Sequence, residues 1–411
     1  MNEASGKDFR AQRQPLTKPA VHTKGKPTIR VLGTEITLLE TLRLRAEEDL
    51  GLRLVFENHD FLTAQRRAAR APDDYDVYDQ CFHNLDIVWY WRAIQAIDTR
   101  RIALWDEVSS LSRTGTIGPS AHVGHGDAPV TKLYVQPDQS LSAAPSHHIS
   151  MLPTVHNFDS FGFDEGVEGL SPDRVTSWSA LLDPQWSGRV ALVDEPAIGI
   201  FDVALAAQSA GLMRFAEIGN LSVDEIDALL SLLMRKKSEG HFSSFWKTAS
   251  EATEQMAAGR FALGSLWSPS IAALKRRGVR VRQAVPAEGY RAWHGGLCLS
   301  RRLEGRQLDA AYDYLNWWLS GWPGAVVARQ GYYMSVPGRV REHLMPAEWD
   351  YWYDGRAAAE ELPGPDGEPS IRKGSVRSGG SYWSRASNIA VWNTTMDEHN
   401  YLVRRWAELV A

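Results

Sequence analysis

Apolar and polar positions alternate along this chain in short blocks, each long enough for one strand or one helix. Thr28–Leu32 reads as a strand, and Thr37 with Glu40 has the spacing of a capping box opening a helix whose Leu38, Leu42 and Ala46 share a face until Gly51. Leu52–Glu57, Tyr75–Asp79, the helical stretch Leu85–Ala93 and Ile94–Asp98 continue the rhythm, which predicts an α/β arrangement with parallel strands. Residues 109–150, rich in Gly, Pro, Ser and His, read as an insertion of turns, and Met151–Phe161 as a chain crossing. The alternation resumes with Trp178–Leu182, the strand Arg189–Asp194 and a helix from Ile200 to Gln208. Ser222 with Glu225 makes a second capping box, followed by Ile226, Leu229, Leu230 and Leu233 on one helical face. Further on come the helix Glu251–Ala257, strands Phe261–Trp267 and Val279–Ala284, the helix Leu308–Leu319, a Pro/Gly-rich surface stretch at Pro346–Gly380 and a last helix, Asp397–Val410.

Composition narrows the function classes. Across 411 residues, 44% hydrophobic and 23% charged content is ordinary for a globular protein of two or three domains, or one large two-lobed body. Forty-five Lys plus Arg against 50 Asp plus Glu gives a net charge of -5, which argues against nucleic acid as a partner. The most apolar stretch, Arg189–Ala207, is broken by Asp194, Glu195 and Asp202, so no membrane span is predicted. Two distant cysteines, Cys81 and Cys298, exclude a disulfide framework. Residues 1–27 read as a loose polar arm, and Met1–Lys26, with six basic and two acidic residues and no apolar core, is not a signal peptide as written. The 16 tryptophans are the outlier, because an indole N–H demands a partner when buried and the ring suits binding surfaces.

Enzyme signatures are missing: there is no GxGxxG, no GxxxxGK[ST] and no G-x-S-x-G. Cys81 and His83, two apart on a strand, share a face without meeting, and the loop histidines His122, His125, His147 and His148 lack metal-ligand spacing. No catalysis, metal or cofactor is expected. Acids and aromatics instead gather at predicted strand ends: Glu35, Asp79, Glu195, Trp267 and Trp293. Carboxylates beside aromatic faces suit an organic cation, which gains from ion pairing and from the ring quadrupole.

In order along Thr28–Gly338, YDVYDQ (75–80), AIQAID (93–98), SWSALLDPQWSGRVALVDEP (177–196), GRFALGSLWSPS ending at Ser270, VPAEGYRAWHGGLCL (285–299), LDAAYDYLNWWLS and ARQGYYMSVP resemble the bacterial extracellular solute-binding proteins of ABC transporters, in particular the spermidine/putrescine-binding group. The resemblance implies a two-lobed periplasmic-binding-protein type II fold, each lobe a mixed or parallel sheet flanked by helices, with a hinge of two or three crossing segments. Lobe one would comprise 28–152 plus 287–340 and lobe two 153–286 plus 341–411. It further implies a ligand-binding monomer, not an enzyme, working with an ABC permease in the periplasm. An intracellular sensor or enzyme on the same scaffold is the alternative left by the amino terminus.

By the same resemblance Thr34 and Glu35 fall on a ligand-contacting Thr-Glu pair, Glu195 on a ligand carboxylate, and Trp267 and Trp293 on tryptophans flanking a methylene chain. Asp79, His83 and Tyr332 are expected at the cleft rim. Gly33, Ile198 and Gly295 stand where the family has Trp, Glu and Asp, so fewer carboxylates remain than a polyamine requires. Arg291 and His294 could face an anionic group. A small amine or zwitterion is therefore the expected ligand. The competing reading is a ferric-ion binder using Tyr332, Tyr333 and His156.

Overall fold

The computed structural model describes residues 26–411, so nearly all of the arm expected at 1–27 lies outside the described residues. The first alternating block forms as predicted. Strands Thr28–Gly33 and Arg53–Asn58 pair in parallel around the helix Glu40–Leu50, which buries Leu42 and Ala46 and stops where Gly51 takes φ 65°. That left-handed conformation suits a residue without Cβ. The expected capping box at Thr37 does not form: the helix has Leu39 at its N-cap, with no side-chain cap bond. Thr37 is instead buried and lines the same cavity as Asp79, so a polar group that could have capped the helix is drawn into the interior. The box at Ser222 and Glu225 does form, with both of its bonds.

Two sheets organise the chain. The larger orders its strands as Tyr333–Met334, Leu152–Asp159, Tyr290–Ser300, Val77–Cys81, Thr28–Gly33 and Arg53–Asn58, with Ile94–Gln95 and Ile389–Trp392 also paired to the long Tyr290–Ser300 strand. The smaller orders Phe242–Trp246, Val190–Val193, Leu263–Ser265, Phe161–Asp164 and Val281–Gln283. Both are mixed, with parallel pairs at Thr28–Gly33 and Val190–Val193 and antiparallel pairs where the chain returns. Helices Pro196–Ser209, Val223–Ser238 and His399–Val410 bury Phe201, Leu230 and Trp406 against the smaller sheet.

The stretch read as a crossing at Met151–Phe161 is a fully buried strand of the larger sheet up to Asp159, and the crossing is confined to Ser160. Leu152–Asp159 is buried throughout, so Val155 and Phe158, three apart and on opposite faces of the strand, are both covered. Residues 284–289 and 393–398 make two further crossings between the sheets. The first two are tied together: Ser160 Oγ donates to the Ala284 carbonyl at 2.6 Å, and the Ala284 N–H to the Phe161 carbonyl at 2.9 Å. The third is fixed where the Asn393 N–H meets the Ala292 carbonyl at 2.8 Å.

The segment 341–411 reaches both sheets. Trp349, Tyr353, Tyr382 and Trp392 join the core around the larger one, while Ala390, Val391, Met396 and the last helix pack with the smaller. Pro346–Gly380 is accordingly not a plain surface stretch: Trp349 stacks on Tyr353 at 4.2 Å, and Tyr353 packs edge-on against Tyr333 at 5.4 Å. Alternation misses such a segment because its buried residues are aromatics spaced by loops.

Close sheet packing makes one glycine indispensable. A Cβ at Gly264 would lie 2.1 Å from the Ala191 carbonyl oxygen, a backbone atom that cannot move without parting the sheet. Gly264→Ala is expected to cost about 1–3 kcal/mol by overpacking, seen as a lower urea midpoint. An unchanged midpoint would mean that the strands adjust freely there.

Candidate functional site

Between the two sheets lies a cavity of about 40 Å³, with Thr34, Thr37, Phe61, Asp79, Asp159 and Tyr332 on the larger-sheet side and Ile198 and Trp267 on the smaller. Trp267 leaves the strand Leu263–Ser265 and directly precedes the helix Ser268–Arg276, so its ring is held at an element boundary. It packs edge-on against Trp246 at 4.8 Å and Phe61 at 5.8 Å. Trp293, on the long strand, donates its Nε1–H to Asp159 Oδ2 at 2.6 Å and meets Tyr332 edge-on at 5.4 Å. Two tryptophans thus stand at fixed angles around the cavity, each locked by a ring or a carboxylate.

The charges at the site differ sharply in how they are matched. Asp159 accepts from Asn157 Nδ2 at 2.8 Å as well as from Trp293, so both its oxygens are occupied. Burial raises its pKa, and Arg291 and Trp293 only partly oppose this. Arg291 Nε donates to Asp202 Oδ1 at 2.7 Å, and Ser265 Oγ donates to Asp202 Oδ2 at 2.6 Å. Burial alone would lower the Arg291 pKa, but Asp202 and Asp159 outweigh it and leave it raised. Asp79 is the exception. It is 3% exposed, its Oδ2 has no hydrogen-bond partner, and burial pushes its pKa up to about 7 against the single opposing bond from Thr37. A buried carboxylate left with such sparse support is poised to gain from an incoming cation.

Of the residues singled out from sequence, Thr34, Asp79, Trp267, Arg291, Trp293 and Tyr332 line this cavity. Glu35, His83, Glu195 and His294 do not. Glu35 is exposed and lines a neighbouring groove with His59 and Lys247. Glu195 caps the helix Pro196–Ser209 through the Ala197 N–H at 3.3 Å and lines another groove beside Asp60, Arg66 and Lys247; burial pushes it up to about 7. His83 is buried with neither ring nitrogen partnered, and burial pushes its pKa down to about 3. His294 turns away to Ser112 Oγ at 2.7 Å, and burial lowers it to about 4.

Arg291 is also not a free anion receptor, since Asp202 already neutralises it. Asp202 was legible only as a charge interrupting an apolar run; a lone acid on an otherwise buried helix signals a buried partner. Asp159 and Phe61 gave no such signal, because within HNFDSFGF and NHDFLT their patterns are those of a strand end and a helix start. The iron-binding set does not assemble: Tyr332 faces the cavity, whereas Tyr333 packs on Phe158 and Tyr382, and His156 stacks on His294 at 4.8 Å. Among the described residues no group of three His, Cys, Asp or Glu is placed to hold a metal ion.

Residues 159–322 match the family model described as bacterial extracellular solute-binding protein. The chain is similar to the bacterial extracellular solute-binding proteins. That span begins at Asp159 and includes Trp267, Arg291 and Trp293. Its structural neighbours have the two-lobed fold of periplasmic binding proteins. The spermidine/putrescine ABC transporter substrate-binding protein PotD of Streptococcus pneumoniae has TM-score 0.57 and 12% identity, with 94% of this chain and 100% of that one covered. The Tp0655 (TpPotD) lipoprotein of Treponema pallidum has TM-score 0.64 and 10% identity, covering 93% and 99%. The binding protein MotA of A. tumefaciens B6, solved with glucopine, has TM-score 0.59 and 10% identity, covering 94% and 100%. No curated protein matches the sequence. Among the described residues no helix is long and apolar enough to cross a membrane.

Proposed function

We propose that this protein is the substrate-binding component of an ABC transporter, and that it captures a small solute bearing one ammonium group, a monoamine or a zwitterion, between its two sheets. One lobe comprises residues 28–159 with 290–392 and the other 161–284 with 399–410, and the protein acts as a monomer in the periplasm, handing its solute to a permease. The observation that carries the reading is Asp79: a buried carboxylate with an unpartnered oxygen, in a cavity walled by Trp267, Trp293 and Phe61. A cation there gains an ion pair in a dry setting and the attraction of the ring faces. The polyamine alternative is disfavoured by charge counting, because Asp159 and Asp202 are already engaged by Trp293, Asn157, Ser265 and Arg291. One free carboxylate suits one ammonium.

The cavity's 40 Å³ holds about three water molecules, too little for an amine of several carbons. Entry therefore requires the lobes to part at the three crossings, and contacts made only in the closed form favour closure. A thermal-shift screen with putrescine, spermidine, γ-aminobutyrate, betaine and glucopine tests the reading. A shift for a monoamine or zwitterion exceeding that for spermidine is expected. A response to spermidine alone would contradict the single-carboxylate site.

Affinity should depend on pH with a defined sign. Asp79 is protonated in the free protein below about pH 7, and the ion pair requires it ionised. Binding then releases a proton, and the dissociation constant for the amine should rise about tenfold per unit as pH falls from 7 toward 5. Titration calorimetry at pH 8, 7 and 6 measures it, and a flat profile would remove Asp79 from the contact.

A further inference from the structure

A second cavity, of about 50 Å³, lies between the helix Ser268–Arg276 and the segment 351–378 and shares no lining residue with the first. The buried, unpartnered polar atoms around it are donors. Trp352 Nε1 and the Nε2 amides of Gln283 and Gln330 are all buried without a hydrogen-bond partner. The Gln283 amide can point only one way, since its Oε1 accepts from Arg385 Nη1 at 3.1 Å and a guanidinium accepts nothing in return. Its NH₂ is therefore the group left over.

Two cations complete the lining. Arg377 is 8% exposed and lies over the rings of Tyr333 and Trp352 at 4.5 and 5.1 Å. It donates to the carbonyls of Trp352 at 2.8 Å and Gly331 at 2.5 Å, and its hydrogen bonds reach no carboxylate. Lys275 is the other, and burial together with Arg282 and Arg377 pushes its pKa down to about 8. Glu165 opposes this only in part. Lys275 also lines an adjoining open groove of about 540 Å³ that carries Arg276, Arg280, Arg282 and Arg372 against Glu165 and Glu361. Glu165 is taken up by Arg282 at 2.8 Å, so the groove presents excess positive charge to an approaching anion.

We propose that this cavity binds a small inorganic oxyanion of the phosphate or sulfate type, held by Arg377, Lys275, Trp352 Nε1 and Gln283 Nε2. Two positive charges and several unspent N–H groups around a volume of about three to four water molecules match a tetrahedral dianion. Water alone would satisfy donors but leave both charges unmatched. The site spans the smaller-sheet helix and the carboxyl-terminal segment, independent of the amine cleft.

The test uses the full chain, dialysed free of phosphate, sulfate and chloride and titrated calorimetrically at pH 7 with inorganic phosphate and with sulfate. Saturable binding at one site is expected, weakened at least tenfold by Lys275→Met and by Trp352→Phe, while amine binding in the cleft is unchanged. Lys275→Met keeps side-chain bulk, Trp352→Phe removes the indole N–H with part of the ring, and if one variant fails to fold, the other decides. No saturable binding of either oxyanion at tens of millimolar, binding of chloride only, or wild-type affinity in a folded variant would overturn the proposal.

Discussion

Asp79→Asn is expected to weaken binding of a cationic solute by about 30- to 1000-fold while leaving the empty protein as stable as before, or more stable above pH 7. The first part follows from removing one partner of a desolvated charge pair, which typically costs about 2–4 kcal/mol. The second follows from linkage. The folded-state pKa of Asp79, about 7, lies above the ordinary aspartate value of about 3.9. The folded protein therefore binds more protons than the unfolded chain between these values, so the carboxyl's contribution to stability falls as pH rises through that window. An amide at this position avoids the cost of a buried charge. Calorimetric titration together with urea unfolding at pH 6 and pH 8 separates the effects. An affinity loss accompanied by an equal loss of stability would mean that Asp79 is structural.

Asp202→Asn is expected to destabilise the protein by about 3–5 kcal/mol, because it strands the Arg291 guanidinium in an interior where the two side chains are only 2% and 1% exposed. The amide still accepts from one donor but carries no charge. Since Asp202 lies on the helix Pro196–Ser209 and Arg291 on the long strand of the larger sheet, the loss should reach both bodies and lower the urea midpoint as one transition. The paired replacement Asp202→Leu with Arg291→Met should recover most of the stability, because two apolar side chains substitute for a buried ion pair with little penalty. If Asp202→Asn unfolded at the wild-type midpoint, another group such as Asp159 would be balancing Arg291, and the pair with Asp202 would not be what holds the two bodies together.

What the sequence disclosed follows physical lines. Strands with period-two burial and helices with one apolar stripe, such as Ile226–Leu233, were legible because the signal and the structure share a period. The crossing is narrower than the stretch Met151–Phe161, because Leu152–Asp159 is buried on both faces and shows no alternation that would mark it as a strand. Among site residues, the aromatics Trp267, Trp293 and Tyr332 were found because their chemistry is specific. The acids are harder to read: Glu35 and Glu195 follow strands, while Asp79 sits in the middle of Val77–Cys81, and these settings send one to solvent, one onto a helix cap and one to the cavity. Side-chain direction at a strand end depends on the local turn, which a pattern of apolar residues does not encode. His83 and His294 were drawn toward the site by proximity in sequence, whereas the sheet puts them behind its wall.

The central claim is that an ammonium group sits on Asp79 between the two lobes, and a crystal structure of the complex with the tightest-binding amine of the screen tests it most directly. The nitrogen is expected within about 2.7–3.2 Å of Asp79 Oδ2, with the carbon chain against Trp267 and Trp293. An amine found instead in the groove beside Glu195 and Lys247, with Asp79 still unpartnered, would contradict it.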